Sequence, residues 1–231
     1  MYYGLETGIT MILFFAALVI TIYAQFKINS AYSKYKKISA NKKLTGCDVA
    51  RQILDKNGLS KIYVVATNGE LSDHYDPTRK VVKLSQDIYN GNTIAAISVA
   101  AHECGHAIQD KENYKFMRIR AALVPVVNLV SYLGYFGLIV SLFAGITGYL
   151  KLSLLTLVAT MLFQLVTLPV EFDASNRALK ELEKLGLISP DEKKGVKKML
   201  GAAAFTYVAS LLSTLINILR IVIMLNNNRD E

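Results

Sequence analysis

The sequence predicts a mainly α-helical membrane protein with four transmembrane helices and a small α+β cytoplasmic domain that carries a short antiparallel sheet. Three observations lead there. Of the 231 residues 52% are hydrophobic, with no Trp and a mean hydropathy of +0.32, above the roughly 45–50% apolar share of ordinary soluble domains. The excess sits in four uncharged runs, Thr7–Phe26, Ala121–Leu150, Leu152–Val170 and Met199–Leu219, each long enough as a helix to cross about 30 Å of hydrocarbon. The positive charge lies between the runs: of 26 Lys and Arg, sixteen fall in 26–120 and seven in 172–198.

The elements follow in order. The first span, 7–26, is preceded by a leader with Glu6 and no Lys or Arg, and no small-x-small cleavage pattern follows it, so it reads as a retained anchor. Residues 27–120 then form the larger cytoplasmic domain. Thr45-Gly46-Cys47-Asp48 resembles a capping box, Val49, Ile53 and Leu54 give an apolar helix face, and Asn57-Gly58 ends the helix. Lys61–Thr67 reads as a strand, Asn68-Gly69 as a hairpin turn, Glu70–Asp76 as the strand pairing back, and Lys80–Ser85 as a further strand after the Pro77-Thr78 turn. Asn92 or Thr93 caps an alanine-rich helix over about 93–110. A membrane hairpin follows, 121–150 and 152–170, turning at Leu150–Lys151. Residues 171–198 return as cytoplasmic helices, punctuated by Leu185-Gly186 and the Ser189-Pro190-Asp191-Glu192 capping box. The last span occupies 199–225.

By the positive-inside rule both basic stretches face the cytoplasm and both termini lie outside, which four spans satisfy. The reading is a multi-pass plasma-membrane protein whose partner is the lipid bilayer. The net charge of +8 then reports topology and attraction to anionic lipid rather than nucleic acid. Membrane-surface anchoring also accounts for the juxtamembrane lysines Lys34, Lys36, Lys37, Lys42 and Lys43 with Tyr32 and Tyr35 among them.

Chemistry concentrates at His102-Glu103-Cys104-Gly105-His106, which takes two of the chain's three histidines. Histidines four apart on a helix face one way and can share one Zn²⁺, while Glu103 is placed to take a proton from a zinc-bound water. Cys104 projects elsewhere and is expected as a small buried packing residue. A catalytic zinc takes about three protein ligands. The remaining candidates are His74 and a carboxylate. Glu171, the first charge after the third span, is the better placed, although a carboxylate there also suits a helix end at the interface.

Three segments together resemble the bacterial YugP-like neutral zinc metallopeptidase family, of gluzincin type: Asp73-His74-Tyr75-Asp76-Pro77, the stretch from Val99 through His102 and His106 to Gln109, and Leu168-Pro169-Val170-Glu171-Phe172-Asp173-Ala174-Ser175. The resemblance covers nearly the whole chain. It implies a zincin-like domain, one Zn²⁺ held by His102, His106 and Glu171, Glu103 as general base, and a peptide or membrane-protein substrate cut at the cytoplasmic face. Gluzincins often carry Asp four residues after the ligand Glu, orienting a zinc histidine. Ser175 stands there, so either Ser175 takes that role more weakly or another carboxylate supplies it; Asp173, two residues on, points away. His74, Asn176 and Arg177 are further candidates for an oxyanion donor. The resemblance also suggests Lys80–Ser85 as an edge for an extended peptide.

Two other readings compete. A metal-binding scaffold or adaptor without activity has no need of Glu103. A site-2-type intramembrane protease needs its metal motif within a span and an Asp-Gly carboxylate, neither of which is present. A transporter fits poorly because the spans hold few polar groups (Asn128, Gln164, Asn217, Arg220).

Overall fold

The computed structural model describes residues 2–144 and 149–227. In chain order the elements are α1 (Tyr2–Tyr35), α2 (Gly46–Lys56), β1 (Tyr63–Thr67), β2 (His74–Asp76), β3 (Val81–Ser85), α3 (Gln86–Asn90), α4 (Ile94–Lys111), α5 (Lys115–Ala144), α6 (Tyr149–Lys184) and α7 (Pro190–Asn227). The protein is mainly helical. Among the described residues four helices are long and apolar enough to cross a membrane, over Gly8–Tyr35, Lys115–Gly134, Tyr149–Lys184 and Pro190–Asn226. Residues 145–148 of the predicted 121–150 span lie outside the described residues. Leu150 and Lys151 do not form the expected turn: both lie in the first turn of α6.

Within the described residues the chain divides into two compact units. One takes Met1–Gln25, Arg118–Leu168 and Thr206–Glu231; the other takes Phe26–Met117 and Pro169–Phe205. The first unit is apolar and exposes Ile12, Phe15, Val19, Leu129, Leu155 and Leu219, an apolar surface of the kind that lipid covers. Some of its polar side chains bond one another across helices. Gln164 donates to the Ser210 hydroxyl (2.9 Å), and Ser213 donates to the Ala17 carbonyl (3.1 Å), which links α1, α6 and α7 by hydrogen bonds where water is scarce.

The second unit has its own core. In α2 the Thr45 hydroxyl accepts from the Asp48 N–H (3.1 Å) while the Asp48 carboxylate accepts from the Thr45 N–H (2.9 Å), completing the capping box. Such a cap contributes about 1 kcal/mol and fixes the helix start. Val49, Ala50, Ile53 and Leu54 are thereby turned into the core, fully buried, in the same cluster as Ala100, Ala101 and Cys104 of α4. Thr93 caps α4, its hydroxyl accepting from the Ala96 N–H (3.2 Å). The segment after α1 also holds the start of α4, with Ala40 N–H on the Asn92 carbonyl (2.7 Å) and Ile94 N–H on the Ile38 carbonyl (2.9 Å). Small residues on every side of α4 let its neighbours approach closely.

The sheet corrects the sequence expectation. It is mixed rather than antiparallel, in the order β1-β3-β2, with β1 parallel to β3 (Tyr63 opposite Val81) and β2 antiparallel to β3 (His74 opposite Lys83). β2 does not pair back on β1. Instead the Asp73 carboxylate accepts from the Ser85 N–H (2.7 Å), docking the start of β2 against the end of β3. β3 is therefore the central strand, buried at Val81, Val82, Leu84 and Ser85, as a strand covered on both faces should be. Its backbone is paired on both sides, so Lys80–Ser85 is not an edge for an added peptide; the edges are β1 and β2.

Candidate metal centre

The centre lies in the second unit, where α4 meets the C-terminal half of α6. The meeting depends on Gly105. A Cβ built there would stand 2.4 Å from the Ala174 carbonyl oxygen, so the two backbones touch and only glycine fits. This close approach brings Glu171, one turn before Ala174, onto the histidine face of α4.

His102, His106 and Glu171 each offer a ligand atom, and these atoms lie within 4.8 Å of one another. The Glu171 Oε2 is 3.3 Å from His102 Nε2 and 3.6 Å from His106 Nε2. Ligand atoms about 2.0–2.2 Å from a tetrahedral zinc stand about 3.3–3.6 Å apart, so those two separations fit the ion; modest imidazole rotation closes the rest. The donor chemistry fits as well, with two imidazoles, one carboxylate and no thiolate. Cys104 is fully buried, its thiol donating to the Ala50 carbonyl (3.6 Å), and burial pushes its pKa up. It packs, as expected from its helix face.

Burial is graded across the site. The Glu171 side chain is 3% exposed, while that of His102 is 15% exposed and forms the more open side. Burial disfavours the charged form of His106, but the bond to Glu171 and the nearby charge of Glu103 outweigh it and raise the pKa. The triad thus already stabilises positive charge. Glu103 is buried in α4, and among the described residues its carboxylate accepts no hydrogen bond, leaving its lone pairs uncommitted. A second carboxylate, Asp73, lies near enough for the charge of Glu103 to be felt. Burial raises the Asp73 pKa, the two bonds from Ser85 lower it, and Glu103 raises it further.

The remaining candidates separate. Ser175 sits 3.1 Å from His102 Nδ1, through its Oγ. Asp173 does leave the triad face of α6, yet it enters the site through α4: its Oδ2 accepts from Gln109 Nε2 (2.8 Å), and Gln109 Oε1 lies 3.0 Å from His106 Nδ1. Helix geometry alone had placed Asp173 outside the site. Arg177 is committed to two carboxylates, Nε to Asp173 (2.5 Å) and Nη1 to Glu112 (2.6 Å). His74 is exposed on β2 with Nδ1 2.8 Å from the Ser72 carbonyl, and Asn176 is exposed on α6. Gln109 and Gly105 were overlooked in the sequence. A glycine inside an otherwise good helix was the available signal for close approach; the role of Gln109 needs the neighbouring helix to be seen.

The chain matches, over residues 10–226, the family described as "Putative neutral zinc metallopeptidase". It is 45% identical over 216 residues to a protein of Bacillus subtilis (strain 168) named "Putative membrane protease YugP", covering 94% of this chain and 96% of that relative. No solved structure matches it.

Proposed function

Because this chain belongs to the neutral zinc metallopeptidase family, we propose that it is a membrane-anchored zinc endopeptidase that hydrolyses peptide bonds of membrane or membrane-proximal proteins at the cytoplasmic face. The observation that carries this reading is the convergence of His102, His106 and Glu171 with Glu103 on the same turn of α4.

In it, one zinc ion is held by His102 Nε2, His106 Nε2 and a Glu171 oxygen. When bound, zinc supplies a polarising positive charge and an open position where a water loses its proton near about pH 7. Glu103 takes the proton of the attacking water and hands it to the leaving amine, the work of a general base and then a general acid. Ser175 and Gln109 hold the far nitrogens of the two imidazoles.

The orientation rests on charge. The second unit carries most of the lysines and arginines, and the termini belong outside the cell on this reading. The bilayer is then the standing partner and anionic lipid the counter-charge, with no part for nucleic acid. A site-2-type arrangement is disfavoured because α4 is not among the four helices apolar enough to cross a membrane.

The test uses the full chain purified in detergent, measuring bound zinc and cleavage of casein or a peptide. Glu103→Gln should keep zinc and lose about 10²–10⁴-fold in rate. Glu171→Ala should lose zinc. Unchanged cleavage in folded Glu103→Gln would sink the catalytic assignment, and full zinc occupancy in folded Glu171→Ala would sink the ligand set.

A further inference from the structure

Gln109 is fully buried, and its side-chain amide touches three groups. Nε2 donates to the Val170 carbonyl (2.8 Å) and to Asp173 Oδ2 (2.8 Å), while Oε1 faces His106 Nδ1 at 3.0 Å. The orientation of this amide is fixed by what surrounds it. Turned over, Gln109 would set its oxygen against a carbonyl and a carboxylate, two acceptors with nothing to donate. Asp173 is itself held in place, because Arg177 binds the same Oδ2 and reaches on to Glu112. With Oε1 so fixed, the His106 nitrogen facing it must carry the proton.

We infer that Gln109 is the positioning residue that locks His106 in its Nδ1–H tautomer, so that the Nε2 lone pair faces the metal position, and that Val170 and the Asp173–Arg177 pair set the lock. The inference rests on the zinc reading of His102, His106 and Glu171. Glutamine suits the place as few residues would, since it must donate twice on one side and accept once on the other. A glutamate would meet Val170 and Asp173 as a third acceptor. A methionine fills the volume but offers His106 Nδ1 no acceptor. It follows that the Asp173 carboxylate, on α6, governs His106 on α4 without touching it.

The experiment uses the full chain in detergent, labelled with ¹⁵N at its three histidines. Two quantities are read for wild type, Gln109→Met, Asp173→Ala and Glu171→Ala: zinc affinity by competition with a chromophoric chelator, and the His106 tautomer in the zinc-free protein at a pH where the ring is neutral. Wild type should show Nδ1–H. Gln109→Met should bind zinc about 10–100-fold more weakly, with His106 moved towards the Nε2–H form and His102 unchanged. Asp173→Ala, at a less buried position, should fall between and decides the matter if Gln109→Met does not fold. Wild-type zinc affinity and an unaltered tautomer in the folded variants would overturn the lock while Glu171→Ala still loses zinc. Wild type that binds no zinc overturns the zinc reading and the lock together.

Discussion

Gly105→Ala tests how the centre is assembled, because it adds one methyl group at the point where α4 and α6 touch. The alanine Cβ would lie 2.4 Å from the Ala174 carbonyl oxygen, 3.0 Å from its carbonyl carbon and 3.1 Å from its Cα. All three are backbone atoms, so no side chain can swing aside. Reaching the 3.4 Å at which ordinary contact begins requires the helices to part by about 1 Å. Glu171 rides on α6 and both histidines on α4, so the ligand separations of 3.3 and 3.6 Å would open by a comparable amount. Metal–ligand distances tolerate about 0.2 Å.

The stability change should be small by comparison. Alanine gains about 1 kcal/mol over glycine in a helix interior, and overpacking costs about 1–3 kcal/mol. The net is a loss of about 0–2 kcal/mol. The variant should therefore remain folded and melt within a few degrees of wild type, yet lose zinc far more readily. The assay is zinc per chain after dialysis against graded chelator, paired with a thermal melt. A folded Gly105→Ala protein that holds zinc as wild type does would show that Glu171 is not delivered by this contact. The reasoning from helix approach to ligand geometry would then fail.

Two further outcomes follow from named contacts. Ser175→Ala removes the partner of His102 Nδ1 and should weaken zinc binding about tenfold, read by chelator competition; unchanged affinity would remove Ser175 from the site. Asp73→Asn probes a carboxyl whose pKa burial raises. A raised folded-state pKa gives stability that is present below the unfolded value, about 3.9, and lost as pH rises through the folded value. The melting temperature of wild type should thus rise relative to Asp73→Asn as pH falls from 7 to 4, and the opposite trend would refute the assignment.

Much of the fold could be read from local signals, because those elements are built locally. The Thr45/Asp48 box, the Thr93 cap, the left-handed Gly186 after α6 and the apolar runs each announce themselves within a few residues. The sheet did not. Asn68-Gly69 is a good hairpin signal, and Gly69 does adopt a positive φ of 95°. The chain nevertheless runs on through Leu71, also at positive φ, and pairs β2 with β3 through the Asp73–Ser85 bonds. The burial of β3 is near-continuous, but Lys83 and Ser85 interrupt its apolar pattern and hid its central place. At the site, spacing alone singles out the two histidines and Glu103 on one short stretch of α4. Glu171 needed the position of the span end. Gln109 and Asp173 meet only because two helices distant in sequence come into contact, and no local pattern encodes that.

Neither imidazole of the triad has a carboxylate on its Nδ1 side. His102 Nδ1 faces an alcohol and His106 Nδ1 an amide, while the nearest carboxylate behind them, Asp173, is turned to Gln109 and neutralised by Arg177. A carboxylate bonded directly to a ligand imidazole makes it a stronger donor and draws positive charge off the cation. On the zinc reading, two neutral imidazoles and Glu171 would leave a divalent ion with a net positive charge, and the groups behind them would subtract little from it. Asp173 stands behind the Gln109 amide and not against an imidazole. From there it fixes geometry through Gln109 without spending its charge on the metal position.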